Sequence, residues 1–158
     1  MASWAVFVAQ APELAARVRA ALDANKHKTL ATIRADGAPR ISGTETMYAG
    51  DDLWLGSMWQ ARKAQDLLRD PRFALHSATI DPGDDPGSWP GEAKLSGRTE
   101  AVTDFDRFAA VIPDGSPDSM HLFRLDLGEV VHTGLSKAAD KLVIELWRPG
   151  AQIRRFER

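Results

Sequence analysis

The stretch Ser57-Met-Trp-Gln-Ala-Arg62-Lys63-Ala64 is the sharpest local concentration of chemistry in the sequence. A strand pattern stops near Ser57 and a helical pattern begins about Gln60, so Arg62 and Lys63 fall in a first helical turn. Cations there oppose the helix dipole and cost about a few tenths of a kcal/mol each. An anion at that end makes sense of them, because unpaired N–H groups, the dipole, Arg62 and Lys63 then converge on a phosphate. The plainer reading is a solvated face with both cations loosely paired to Asp66. On these residues alone, the plainer reading is the stronger. A second feature is Arg40-Ile-Ser-Gly43. A glycine inside a strand marks either the close approach of a ligand or another strand, or a bulge that bends a barrel. Both readings stand.

Other chemistries lack their residues. His27, His76, His121 and His132 show no i, i+3 or i, i+4 spacing, so no metal site is expected. The absence of Cys excludes disulfides, thiolate nucleophiles and Cys-held metal centres. There is no Gly-x-Ser-x-Gly elbow, no Gly-x-Gly-x-x-Gly turn and no P-loop. No catalytic residue is assigned.

The elements that must position Arg40 and Arg62–Lys63 are mostly strands. The one clear early helix is predicted over 12–24, with Pro12 at its first position and Leu14, Val18, Ala21 and Leu22 on one face. Asn25 suits its left-handed end, and Trp4 and Phe7 clamp the N-terminus onto the body. Strands are predicted over 30–34, 40–48 and 53–57, joined at Asp36-Gly37 and Gly50-Asp51 into a β-meander. A helix over 60–69, with Ala61, Ala64, Leu67 and Leu68 on one face, stops at Asp70-Pro71. Further strands are predicted over 73–80, 92–102, 121–133 and 141–147, with a short helix capped by Asp104 and a polar tail from Ile153. Asp81–Gly91 holds three Pro and three Gly, and is read as a loop in which Trp89 either lids a slot or packs on the barrel.

Seven strands in mostly hairpin order favour an antiparallel barrel, since closure removes exposed edges. A length of 158 residues suits one domain, with an arm and helix over 1–27, a barrel over 28–149 and a tail over 150–158. A net charge of −2 argues against a dedicated nucleic-acid binder. No apolar run approaches the roughly 20 residues that span a bilayer, and no basic segment precedes the apolar start. A cytoplasmic protein is the expectation.

The ordered set of segments resembles the pyridoxamine 5′-phosphate oxidase-like family of flavin-binding split β-barrels. It runs Thr-Leu-Ala-Thr-Ile-Arg-Ala-Asp-Gly-Ala-Pro-Arg-Ile-Ser, then Leu-Trp-Leu-Gly-Ser, then Ala61-Arg-Lys-Ala-Gln-Asp-Leu-Leu-Arg-Asp-Pro-Arg-Phe. The last block is similar to the family's Ser-Arg-Lys-Ala…Asn-Pro-Arg signature, with Ala61 and Asp70 replacing its Ser and Asn. Glu92-Ala-Lys-Leu-Ser-Gly97 fits the family's strand with a central glycine. The resemblance implies a mainly β fold, a six- to seven-stranded antiparallel split β-barrel with flanking helices, paired as a homodimer. It implies that Arg62 and Lys63 hold the cofactor phosphate, that Arg40, Ile41, Ser42, Gly43 and Thr44 line the ring or ribityl chain, and that Gly56, Ser57 and Met58 continue that wall. Glu92 takes the place of a polar residue, usually Gln, near the cofactor. Trp147 either approaches the partner's cofactor or packs in the core at the dimer interface.

The implied activity is FMN-dependent oxidoreduction, by hydride transfer between the flavin and a small organic substrate. A deazaflavin coenzyme is the alternative, with Arg34, Arg40, Arg154, Arg155 and Arg158 available for its longer anionic tail. A non-catalytic flavin- or haem-binding module is the third reading. The chain ends Trp147-Arg-Pro-Gly-Ala-Gln-Ile-Arg-Arg-Phe-Glu-Arg158, without the Arg-Leu-x-Pro-like close of the true oxidases, so vitamin B6 oxidation is not the expected reaction.

Overall fold

A computed structural model describes residues 1–81 and 84–158. The chain opens with helix α1 (Trp4–Gln10), where the sequence predicted only a clamp; the Ser3 hydroxyl caps it by accepting from Val6 N. Its Trp4 and Phe7 are buried. Helix α2 (Pro12–Asp23) buries Leu14, Val18, Ala21 and Leu22 as its periodicity requires. Asn25 is not left-handed; its side chain instead accepts from His27 N at 3.1 Å, an Asx-type turn.

Strands β1 (Lys28–Ile33) and β2 (Pro39–Thr44) form the hairpin set by Asp36-Gly37, with Gly37 at φ 84. The expected long strand over 40–48 is broken at Glu45. Strand β3 (Thr46–Ala49) pairs with β4 (Asp52–Met58), not with the first hairpin, so the predicted three-strand meander does not form. Helix α3 (Arg62–Arg69) then carries the chain across to β5 (Arg72–His76). It buries Ala64, Leu67 and Asp66, while Leu68, placed on the inner face by the sequence, is 52% exposed.

Within the predicted 81–91 loop, Asp85 caps a single 3-10 turn at Pro86–Ser88; residues 82 and 83 lie outside the described residues. Strand β6 (Glu92–Ala101), helix α4 (Phe105–Ala109, capped by Asp104) and the long strand β7 (Met120–Leu135) follow. Strand β8 (Leu142–Trp147) leads to β9 (Arg154–Glu157), where the sequence predicted a polar tail. Backbone pairing with β8, Ile144 opposite Phe156, outweighs the charge of Arg154 and Arg155.

Among the described residues nine strands form one antiparallel sheet with the path β2-β1-β5-β6-β7-β4-β3; β8 branches from the C-terminal half of β7, and β9 pairs with β8. Strands β2 and β3 end that path on opposite sides, yet only Glu45 separates them in sequence. One residue spans at most about 3.6 Å, so the sheet must curl until its ends meet. The seam between β2 and β3 carries no strand pairing. This is a split barrel, with two strands more than the upper expected count. The main core lies between the sheet and the N-terminal helices, joining Phe7, Leu14, Val18 and Leu22 to Leu30, Leu55, Leu95, Phe123 and Trp147.

The β6–β7 ladder slips register at Ser96/Gly97. There a Cβ on Gly97 would stand 1.9 Å from the Asp126 carbonyl oxygen. Glycine is required by backbone approach, not by its own φ.

Candidate functional site

A groove of about 560 Å³ opens at the seam, where the ends of β2, β4 and β7 meet the start of α3. It falls within the roughly 300–1,000 Å³ range of small-molecule pockets. Gly43, Thr44, Gly56, Ser57, Met58 and Lys63 line it, together with residues the sequence reading did not nominate: His27, Glu45, Met47, Trp59, Ser119 and Met120.

Lys63 reaches across the seam and donates to the Gly43 carbonyl at 2.7 Å. Burial lowers its pKa, and the Glu45 carboxylate opposes that shift. Ser57 is buried, and its Oγ has no hydrogen-bond partner. A Cβ on Gly43 would meet nothing within 4 Å, so that wall stands open. The first turn of α3 has no side-chain cap at Ala61; Ala64 N is bonded to the Ala61 carbonyl at 2.9 Å, which leaves the Arg62 and Lys63 N–H groups for solvent or ligand.

The remaining nominated residues lie outside the groove. Arg62 is exposed and donates to Gln65 Oε1 at 3.3 Å. Arg40 turns to the buried Asp66, with Nε 2.6 Å from Oδ2. Ile41 is 75% exposed and lines a separate apolar hollow of about 310 Å³ with Ala31, Ala74 and Val131. Ser42 is half-buried in the β1–β2 ladder opposite Leu30. Asp66, the partner the plainer reading gave to Arg62 and Lys63, is bonded instead by Arg40, Thr32 Oγ1 at 2.8 Å and Arg69 at 3.2 Å. Glu92 stands 3.5 Å from His76 Nε2, away from the groove. Trp147 is buried against Phe7 and donates to Gln10 Oε1, so it packs in the core of its own chain. Trp89 is half-buried and does not line the groove.

The groove's charge is mixed. Glu45 is met by Lys26 Nζ at 3.3 Å and His27 Nδ1 at 3.8 Å. Lys28 is buried close by in sequence, donates to the Lys26 carbonyl, and has its pKa lowered by burial against the pull of Asp23 and Glu45. Arg154 packs over Phe156 and Arg155 pairs with Glu157 on β9, so neither extends the groove.

The apolar end is made by Met47, Met58, Met120 and Trp59. Three of the chain's four methionines therefore face one space. Unbranched, polarisable side chains of this kind adapt to planar ligands. Two adjacent large apolar residues, Met58-Trp59, at the end of a strand pattern were the available signal, and the structure leaves both exposed, at 80% and 48%. Nothing local marked Met47 or Met120, which arrive from other strands.

An antiparallel split barrel with a mixed polar and apolar groove at its seam defines the class of protein. The profile described as pyridoxamine 5′-phosphate oxidase matches residues 14–131, and the chain belongs to that family. A comparison with curated protein sequences found no match. Among solved structures, the chain is similar to a pyridoxamine 5′-phosphate oxidase-related, FMN-binding protein from Nostoc punctiforme. That match has TM-score 0.62 and 12% identity, and covers 94% of this chain and 95% of that one. It is also similar to a haem-binding protein from Mycobacterium smegmatis, with TM-score 0.59 and 18% identity over 89% of this chain, which spans 56% of that protein. The haem storage protein from Vibrio cholerae matches at TM-score 0.55 and 19% identity, over 75% of this chain and 89% of its own. Among the described residues no helix is long and apolar enough to cross a membrane.

Proposed function

We propose that the seam groove binds the ribityl phosphate and ring of FMN or of a deazaflavin coenzyme, and that the protein is a cytoplasmic oxidoreductase acting on a small organic substrate. The observation that carries this reading is the buried, unpartnered Ser57 hydroxyl on the wall that also holds the desolvated Lys63. A buried hydroxyl without a partner costs about 1–3 kcal/mol, and an oxygen-rich ligand would remove that cost. The open wall at Gly43 leaves room for such a ligand's chain. Family membership and the FMN-binding relative support the same reading.

When bound, the cofactor supplies the hydride chemistry itself. The chain's part is to hold and orient. Lys63 would exchange its bond to the Gly43 carbonyl for one to phosphate, helped by the uncapped N–H groups of α3. Ser57 would donate to a ligand oxygen. Met47, Met58, Met120 and Trp59 would exclude water from one edge of the ring. The exposed Ile41 and the apolar hollow beside it would pack against a second copy, giving a homodimer. Use of the same slot by a non-catalytic flavin or haem binder is the second reading. It is favoured by the exposed Trp59 and Met58, which can cover a planar ligand instead of leaving its face open.

The test is an absorbance spectrum after incubation with FMN, deazaflavin or haem and gel filtration. A retained chromophore identifies the ligand, its elution volume gives the oligomeric state, and turnover with a reductant separates enzyme from binder. Loss of both flavins on the column overturns the reading. Lys63→Ala is expected to weaken FMN binding about 10- to 100-fold, the size of a charge-assisted bond. Arg62→Ala alone is expected to cost less than about fivefold, because its guanidinium lies outside the groove. The double variant should keep its fold and lose the cofactor on the column; stoichiometric retention would show that the clamp lies elsewhere.

A further inference from the structure

The turn that delivers Arg62 and Lys63 is held by a device of its own. Ala61 N donates to the Met58 carbonyl at 3.2 Å, and Gln60 inside that turn has φ 58. L residues with long side chains avoid this left-handed region, so neighbouring structure must hold Gln60 there. The holding group comes from β7. Gln60 N donates to His121 Nε2 at 3.3 Å, and the Trp59 ring stacks on the imidazole with centroids 4.7 Å apart and planes 12° apart. From Gln60 the chain of bonds continues. Its Oε1 accepts from Gln65 Nε2 at 2.8 Å, and Gln65 Oε1 accepts from Arg62 at 3.3 Å. An unbroken series thus runs from His121 through Gln60 and Gln65 to the Arg62 guanidinium, ending at the first turn of α3.

We infer that His121 is a positioning residue: its neutral imidazole pins the Trp59–Gln60 turn, and its protonation loosens the anion-binding end of α3 and weakens ligand binding. This rests on the reading of the groove as a phosphate site. The bond has a required polarity. An imidazolium presents N–H at Nε2, donor facing donor, and cannot accept from Gln60. Stacking on Trp59 survives protonation, because a cation over an indole face is attracted to it. The loss therefore falls on Gln60, not on the ring pair. His121 is disposed to stay neutral, since burial lowers its pKa from 6.5 and is the only contributing cause. The hollow of about 160 Å³ around it is lined by Trp59, Leu68, Thr103, Pro117, Met120 and Phe123 among others, all uncharged. Across the strand pair it faces Ser57, also uncharged. No acid stands in that lining to hold the proton on.

The test compares wild type with His121→Gln and His121→Ala. Gln keeps an acceptor near the Nε2 position and does not titrate. FMN affinity is measured by fluorescence quenching between about pH 7.5 and about pH 5.5. Ligand-phosphate protonation weakens all three proteins alike, so the difference between profiles is the reading. Wild type is expected to lose a few-fold, and less than about tenfold, more affinity than His121→Gln over that range, because a lowered pKa leaves part of the imidazole neutral at its acid end, and His121→Ala to bind about tenfold more weakly throughout. Parallel profiles for wild type and His121→Gln overturn the inference. A ligand-free readout separates its failure from that of the groove. Hydrogen exchange at the Gln60 amide, at one pH near 7, is expected to be protected in wild type and His121→Gln and unprotected in His121→Ala. If no variant binds FMN or the deazaflavin coenzyme, the groove reading fails. The amide then decides the coupling, and equal protection in all three proteins overturns it.

Discussion

Gly97→Ala is expected to remove a large part of the barrel's stability. The added Cβ would lie 1.9 Å from the Asp126 carbonyl oxygen and 3.0 Å from both the Asp126 carbonyl carbon and Gly128 N. These are backbone atoms of β7, so no side-chain rotation relieves the clash. Relief requires opening β6–β7, the longest ladder of the sheet, at its own register slip. Overpacking a side chain costs about 1–3 kcal/mol. Overpacking a backbone contact in the central ladder is expected to cost on the order of 4 kcal/mol or more, a large part of the roughly 5–15 kcal/mol that holds a domain together. Urea unfolding followed by far-UV circular dichroism measures it, with Gly43→Ala as the control because nothing stands within 4 Å of its Cβ. A Gly97→Ala protein with the wild-type midpoint would show that the two strands are not this close.

Asp66→Ala is the second large effect. The carboxylate is buried on the inner side of α3 and binds Thr32 of β1, Arg40 of β2 and Arg69 of its own helix. Burial pushes its pKa up, but the hydrogen bonds from Arg40, Thr32 and Arg69 and the Arg40 charge outweigh burial and hold it below 3.8. Removing one member of a buried pair costs about 3–5 kcal/mol, because the other charge is left without compensation. Arg40 and Arg69 are 24% and 41% exposed and recover some hydration. The expected loss is therefore about 3 kcal/mol, at the lower end. The pH dependence has a definite sign. The unfolded chain protonates this group near its ordinary value and the folded chain only below it, so its contribution is whole above about pH 4 and disappears as pH falls through the depressed value. Asp66→Asn should flatten the acid limb of the stability curve. An unchanged acid limb would mean that Asp66 is not the group whose protonation weakens the fold.

Much of the fold is written locally. Asp36-Gly37, Asp70-Pro71 and Asp104 each fix their own turn, stop or cap, and the structure uses all three as the residues imply. The β2–β3 break was not legible, because Glu45 is one polar residue in an alternating run. What splits the run is the competition of β1 and β4 for different halves of it, which is decided by strands elsewhere. The C-terminal β9 was hidden for a related reason: its charged residues gain pairing only once β8 is in place. The candidate site divides the same way. Lys63 could be named from a strand-to-helix junction, and Ser57 from the family resemblance. The engagement of Arg40 with Asp66 could not, since a carboxylate in the middle of an amphipathic helix reads as surface until its three partners are brought to it. Methionines from β3, β4 and β7 meet in the groove without any spacing that announces it.

Closure at Glu45 also sets an order of events for the growing chain. The β1–β2 hairpin needs only a local turn, but β4 must wait for its partner in β7, with Trp54 opposite Arg124, before the seam exists. Contacts so distant in sequence are slow to form, because the loop entropy is spent before they return anything. The groove is assembled from both early and late strands, so it cannot exist in a chain still lacking β7. On the proposed reading of the groove, ligand uptake would report the closing of the seam. A refolding trace followed by ligand signal should lag the one followed by β1–β2 hydrogen-bond protection, and the interval between them is the time the barrel takes to shut.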